Sequence, residues 1–480
     1  MALSAIDYVV IGVYLVAITA FGSWFARYQK TTRDYFLTGR SIPWWAICFT
    51  IVATETSTLT FIGIPATAYA GNMTFLQLAI GYVIGRLLVS VLFIPAYFRG
   101  DLFTSYELLQ RCFGTRVKTL AAVIFLITRS LADGIRLFTT ALVIAVVTQV
   151  PVPWVSVVLA VAMIVYTMRG GVSAVIWTDV VQMFVYIAGA GAVATTLLYR
   201  IPGGWDEVMR VGYETGRFTV FDFSLNPSAV YTIWSGVFGG VALTLATHGT
   251  DQFLVQRLLS ARSAREASRG LVLSGVIVFV QFVLFLIIGV MLYAFYLHTP
   301  LPYVPERADQ ILPIFVVNEM THGLAGFIVA AIVAAALSPS LNAMAATTVS
   351  DFYLPYFNPG ADQTTQMRVS KLATVGWGIV QLGVAIGAQF MQRSVLDAGL
   401  AVLGFASGAV LGAFLLGTLV PRVNERDTFI GMIAGLIVMT LVWWDARIAF
   451  TWYVLIGSVT TCAVAVGSSV LVPTRTEEGA

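Results

Sequence analysis

Residues 50–71 read TIVATETSTLTFIGIPATAYAG, and the rest of the chain is best approached from there. The stretch is long enough to cross a bilayer. Yet six hydroxyls (Thr50, Thr54, Thr56, Ser57, Thr58, Thr60) surround Glu55 at its middle, with Gly63 and Pro65 behind. A helix facing lipid has no use for them, because polar and ionisable groups are expensive in hydrocarbon. Irregular backbone at membrane depth is tolerated only where it lines a protein cavity, and freed carbonyls there can coordinate a cation. Hydrogen bonding between helices by Ser and Thr is the plainer alternative, but it does not account for the carboxylate.

Composition places this stretch in a membrane. Of 480 residues, 58 % are apolar and 11 % charged, against about half and about a quarter in soluble domains. Mean hydropathy is +0.87. A net charge of +3 does not suggest a nucleic-acid partner. Cys48, Cys112 and Cys462 are scattered without metal or disulfide spacing. The first apolar run lacks a small-residue cleavage site, so no cleavable signal peptide is expected. HExxH, GxSxG and the phosphate-binding Gly-Lys-Ser/Thr loop are all missing, and an enzyme is not expected.

Apolar runs predict an all-α polytopic protein of about 13 transmembrane spans, a single transmembrane domain over 1–480. The spans lie near 6–26, 44–71, 73–97, 119–149, 152–167, 172–199, 230–255, 270–297, 320–350, 370–391, 396–420, 428–446 and 449–472, numbered 0 to 12. The longest loop, about 200–229, has room for one short amphipathic helix. Arg200, Arg210, Arg217, Arg307, Arg393 and Arg447 occupy one set of alternating loops, and Arg86, Arg129 and Arg136 fall inside spans. The others of the 27 Lys and Arg lie in the opposite set. This asymmetry predicts an outside amino terminus and a cytoplasmic carboxyl terminus in an inner or plasma membrane.

Span 6 is interrupted in the same manner as span 1, at LATHGTDQFLVQR (245–257), and lies five spans later. Broken helices at matching places in two halves mark a transporter's midplane site. His248 alone reads as a packed core histidine, and Asp251 is the stronger candidate, the alternative being that it lies near the cytoplasmic end and simply pairs with Arg257. In span 3, Arg129, Asp133, Arg136 and Thr140 share one helical face. They form either a structural ion-pair ladder or an anion site in which Arg136 holds a carboxylate bidentately, or Arg136 neutralises Glu55. Asp179 lies deep in span 5, where an acid is a cation or proton site by default. Span 8 carries Ser338, Pro339, Ser340 and Asn342 among small residues.

Five ordered motifs resemble the solute:sodium symporter family, which includes sodium/glucose, sodium/iodide and bacterial sialic acid transporters. They are RDYFLTGRSIPWW (33–45), ATETSTLTFIG (53–63), RGGVSAVIWTDVVQ (169–182), THGTDQFLVQR (247–257) and SLNAMAATTVSDFY (340–353). The resemblance implies the leucine-transporter fold: inverted five-helix repeats over about 44–199 and 230–420, spans 0, 11 and 12 peripheral, and alternating access. No cofactor is implied beyond sodium as the coupling ion, and the partners are a small-molecule solute, Na+ or H+, and the bilayer.

Carried over by motif, the common sodium site falls on the carbonyls of Ala53, Thr56 and Ile332, with Ala335 and Ala336 where two hydroxyls are expected. A shift of three residues would place Ser338 and Pro339 there instead. A second sodium site falls on Asp179 and Ser338. Substrate contacts fall on Glu55, Thr60, Gln77, Arg136 and Asp251, Arg136 resembling the arginine that grips the acid group in the sialic acid branch. The implied activity is sodium-coupled import of a small polar solute such as a sugar or sugar acid. Replacement of the two hydroxyls keeps open a proton-coupled or uncoupled transporter, and a transport-inactive receptor is the remaining alternative.

Overall fold

A chain this apolar must satisfy its backbone polar groups internally, and helices do so within each segment. The computed structural model describes residues 3–25, 36–99, 102–336, 340–390, 395–420, 423–445 and 447–471. Helices account for nearly all of the regular structure there; the one β-type contact is an isolated bridge between Ile42 and Ala261.

In chain order the main helices are α1 (Ala5–Trp24), α2 (Trp44–Glu55), α3 (Thr58–Ala70), α4 (Leu76–Leu92), α5 (Thr115–Thr148) and α6 (Val152–Arg200). Then come α7 (Gly204–Glu214), α8 (Ile233–Gly249), α9 (Gln252–Leu259), α10 (Ala264–His298), α11 (Leu324–Ala336) and α12 (Leu341–Thr347). The last four are α13 (Gln363–Ala388), α14 (Val395–Leu419), α15 (Glu425–Asp445) and α16 (Tyr453–Leu471).

Seven helices among the described residues are long and apolar enough to cross a bilayer individually, and α2 with α3, bent by 60°, makes an eighth. The sequence leads one to expect about 13. The shortfall has physical causes. α4 and α8 have only 17 residues each, and α5 carries Lys118, Arg129, Asp133 and Arg136 along its length. α6 runs for 49 residues, about 74 Å at 1.5 Å per residue, and so holds two expected spans. Gly171 separates them at φ 56°, ψ −170°, a conformation open essentially to glycine alone.

The outer surface is an apolar coat. Val16, Val91, Leu372, Leu441 and Val470 are each 64–71 % exposed, which would promote aggregation in water but is what lipid contact requires. Charge is turned inward instead: Arg86, Arg129, Asp133, Asp179 and Arg257 are all buried. α4 and α8 approach closely because Gly81 faces Gly240; a Cβ on Gly81 would lie 2.5 Å from the Val237 carbonyl. On one face of the bundle, Arg217 follows α7 and places Nη1 within 2.5–3.0 Å of the Ala68, Tyr69 and Gly71 carbonyls at the end of α3. Its guanidinium also lies 3.3 Å from the Tyr293 ring centroid on α10. At the amino terminus Asp7 accepts from its capping partner Ser4 and from the Gly323 and Gly326 amides, tying α1 to α11.

Candidate functional site

The first break lies at Thr56 and Ser57, between α2 and α3. Thr56 has φ −80° and ψ 69°, outside the helical region. The local bonds run Thr56 N to Val52, Ser57 N to Glu55, and both Thr60 N and Phe61 N to Ser57. They skip the carbonyls of Ala53 and Thr56. The surrounding hydroxyls are occupied: Thr60 donates to the Glu55 carbonyl at 2.7 Å, and Thr54 to that of Thr50 at 2.7 Å. Thr58 donates to the Ile332 carbonyl of α11 at 3.0 Å and accepts from Thr140 of α5 at 2.8 Å. Thr58, just past the break, and Ile332 are therefore neighbours although 274 positions apart.

The second break lies at Thr250 and Asp251, between α8 and α9. Asp251 caps α9, accepting from Phe253 N at 2.8 Å. The carbonyls at this break already have partners: Tyr97 donates to Gly249, and Ser105 to Thr250 at 3.0 Å. Beneath both breaks runs a layer of charge. Arg129 reaches Asp251 at 3.0 Å and Asp133 at 3.3 Å, and Ser340 donates to Asp133. Arg257 reaches Asp179 at 3.1 Å and donates to Thr50, whose hydroxyl donates in turn to Asp179 at 2.6 Å. The Arg129 and Arg257 guanidiniums both contact the Phe253 ring, at 4.3 and 4.2 Å from its centroid.

Between the breaks is a cavity of about 110 Å³. One wall carries Glu55, Thr60 and His248; another carries Arg129, Asp133 and Arg136; Leu396, Gly399 and Leu400 of α14 also line it. Arg136 donates through Nη2 to the Thr54 carbonyl at 3.3 Å, while its buried Nη1 has no hydrogen-bond partner among the described residues. Glu55 pairs with Arg86 of α4, which also lies 3.2 Å from His248 Nε2.

Of the substrate contacts expected from sequence, Glu55, Thr60 and Arg136 line this cavity. Asp251 borders a smaller neighbouring void instead. Gln77 is fully buried, its amide donating to the Tyr231 carbonyl at 3.0 Å and accepting from Asp222 N at 3.2 Å. Of the ion-site residues, Ala53, Thr56, Ile332 and Asp179 are buried around the first break. Ser338 lies outside the described residues, as do the side chains of Ala335 and Ala336. The expected ladder forms only between Arg129 and Asp133, and the partner of Glu55 is Arg86 rather than Arg136. Arg86 was the residue to find: it is one of three arginines inside the expected spans.

Known proteins share this architecture and sequence. The sodium/sialic acid symporter NanT of Aliivibrio fischeri is 30 % identical, the match covering 94 % of this chain and 90 % of that protein. The human sodium-coupled monocarboxylate transporter 1 is 29 % identical over 89 % of this chain and 72 % of its own. A solved structure of a sodium-coupled sialic acid symporter, substrate-bound and outward-open, superposes with a TM-score of 0.91 at 28 % identity, covering 98 % of each chain. These relatives are transporters rather than enzymes, and the sodium:solute symporter model matches residues 35–435. With that match spanning most of its length, this membrane-embedded chain belongs to the sodium:solute symporter family.

Proposed function

We propose that the chain imports a small polar solute bearing a carboxylate, driven by sodium. The observation that carries this reading is Arg136, which lines the cavity with a buried Nη1 that has no hydrogen-bond partner among the described residues. An orphaned guanidinium N–H is costly, and a planar carboxylate matches its geometry. Two relatives named for sialic acid and monocarboxylates carry acids. The ion sits at the first break, on the carbonyls of Ala53 and Thr56, which the local hydrogen bonds skip, and of Ile332, which Thr58 draws alongside. Asp179 supplies the anionic charge nearby.

The repeats, about 44–199 and 230–420, rock against each other around this cavity, with the amino terminus outside and the carboxyl terminus in the cytoplasm. The distribution of Lys and Arg supports that orientation. The test is uptake of labelled N-acetylneuraminate and pyruvate into proteoliposomes. At least one acid should accumulate with an inward sodium gradient, and Arg136→Ala should abolish that uptake. Uptake indifferent to sodium, or spared by Arg136→Ala, overturns the reading. Binding without uptake identifies a receptor instead.

A further inference from the structure

Arg86 heads the largest fully buried side chains among the described residues. A buried guanidinium must be paired to be tolerated, and α4, which carries it, contributes nothing to the ion site described above. The fold makes room for it deliberately. A Cβ on Gly275 of α10 would lie 2.9 Å from Arg86 Cδ and 3.1 Å from Nη1. Nη2 donates to Glu55 Oε2 at the end of α2 and lies 3.2 Å from His248 Nε2 near the end of α8. One guanidinium nitrogen thus joins the two broken helices.

The network fixes the histidine. Arginine can only donate, so Nε2 is the acceptor and the ring proton sits on Nδ1, an assignment made from the hydrogen bonds. Nδ1 lies 3.0 Å from Thr247 Oγ1, whose own proton is committed to the Leu243 carbonyl at 2.9 Å. His248 is therefore a neutral acceptor that steadies Arg86 from behind. Glu55, with one oxygen held, keeps 16 % side-chain exposure where it lines the cavity. The cavity offers a solute two contrasting groups: donors from Arg136 and an acceptor from Glu55.

We infer that Arg86, steadied by His248, is a positioning residue that fixes Glu55 as a one-oxygen acceptor in the cavity wall, so that the site selects a hydroxylated acid over an aliphatic acid of equal length. This rests on the reading of the cavity as the solute site. An alkyl chain against that oxygen removes it from water and returns nothing, whereas a hydroxyl donates to it. A hydrogen bond to a charged group corresponds to roughly 10- to 100-fold in affinity.

Gluconate and hexanoate, both six-carbon acids, differ in their hydroxyls. Binding of each to the purified full-length protein in sodium buffer is read by calorimetry. Gluconate should bind at least about tenfold more tightly. Arg86→Met combined with Glu55→Ala removes the acceptor without stranding a buried charge, and should bring the two affinities together, gluconate losing its hydrogen bond and hexanoate no longer desolvating a carboxylate. Glu55→Gln keeps an oxygen for Arg86 and replaces the charged acceptor with a neutral amide donor, which a hydroxyl can still meet by accepting, and should lower the ratio without abolishing it, even if the double variant does not fold. Arg86→Lys should restore part of it. A purely structural Arg86 would weaken both acids alike, and that result overturns the inference, as does equal binding by the wild-type protein. If both acids bind equally and Arg136→Ala abolishes both, the cavity remains the solute site and only the role of Arg86 falls. If neither binds, the inference falls, while uptake of N-acetylneuraminate and pyruvate still decides the reading of the cavity.

Discussion

The two broken helices sit side by side, yet one is open and the other filled. At the first break the backbone hydrogen bonds among the described residues pass over the Ala53 and Thr56 carbonyls, leaving two oxygen dipoles beside the Ile332 carbonyl, which Thr58 holds in place by donating to it. At the second, Tyr97 and Ser105 donate to the Gly249 and Thr250 carbonyls, and Asp251 caps the following helix. The same lesion in two helices therefore has two uses. Oxygen dipoles without donors suit a cation; oxygens already bonded by the chain hold helices in register. The difference lies in what packs alongside, not in the broken segment itself.

This contrast is open to test. The largest expected effect comes from Asp179→Asn, which should reduce sodium-driven uptake to background. It also removes the countercharge of Arg257, which keeps its bonds to Thr50 and Phe253, and losing one charge of a buried pair costs about 3–5 kcal/mol, visible as a lower melting temperature. Adding Arg257→Gln should restore the melting temperature but not uptake; recovered uptake would remove Asp179 from the ion path. Next is Thr58→Val, which deprives Ile332 of its donor and Thr140 of its acceptor. Sodium affinity, read from the sodium dependence of uptake, should weaken by about tenfold, equivalent to about 1.4 kcal/mol.

Tyr97→Phe probes the filled break. It should cost about 1 kcal/mol of stability while sodium affinity stays within about twofold, and a larger change would make the second break an ion site too. The smallest effect belongs to Glu207 on α7. Its hydrogen bond from Arg210, then that with His298, holds its carboxyl down at about 2. A depressed acid contributes stability above its ordinary range and loses it only as pH falls through that value. Glu207→Gln should therefore leave the pH profile of uptake unchanged from pH 5 to 8.

Much of this was legible in the chain. The first break announces itself because a carboxylate, six hydroxyls, a glycine and a proline in one span cannot all face lipid, and the second because Gly249 sits among His248, Thr250 and Asp251. Where partners come from distant helices, sequence has no reach. Asp251 stands six residues from Arg257, but that guanidinium folds back over Phe253 to Asp179, leaving Arg129 to take Asp251. Gln77 occupies a position that suggests solute contact, yet the segment before α8 lies against it and engages its amide. Arg86 was visible only as an unexplained charge. Its pairing depends on the close approach of α4 to α8 through Gly81 and Gly240, a fact of packing.

The Arg217 clamp carries one mechanical consequence. Because a single side chain grips three terminal carbonyls of α3 and rests on a ring of α10, any swing of that half-helix has to drag the segment after α7 along or tear it loose. An antibody fragment seated on that segment could therefore stall the carrier from a distance, braking its turnover without ever entering the pathway the solute takes.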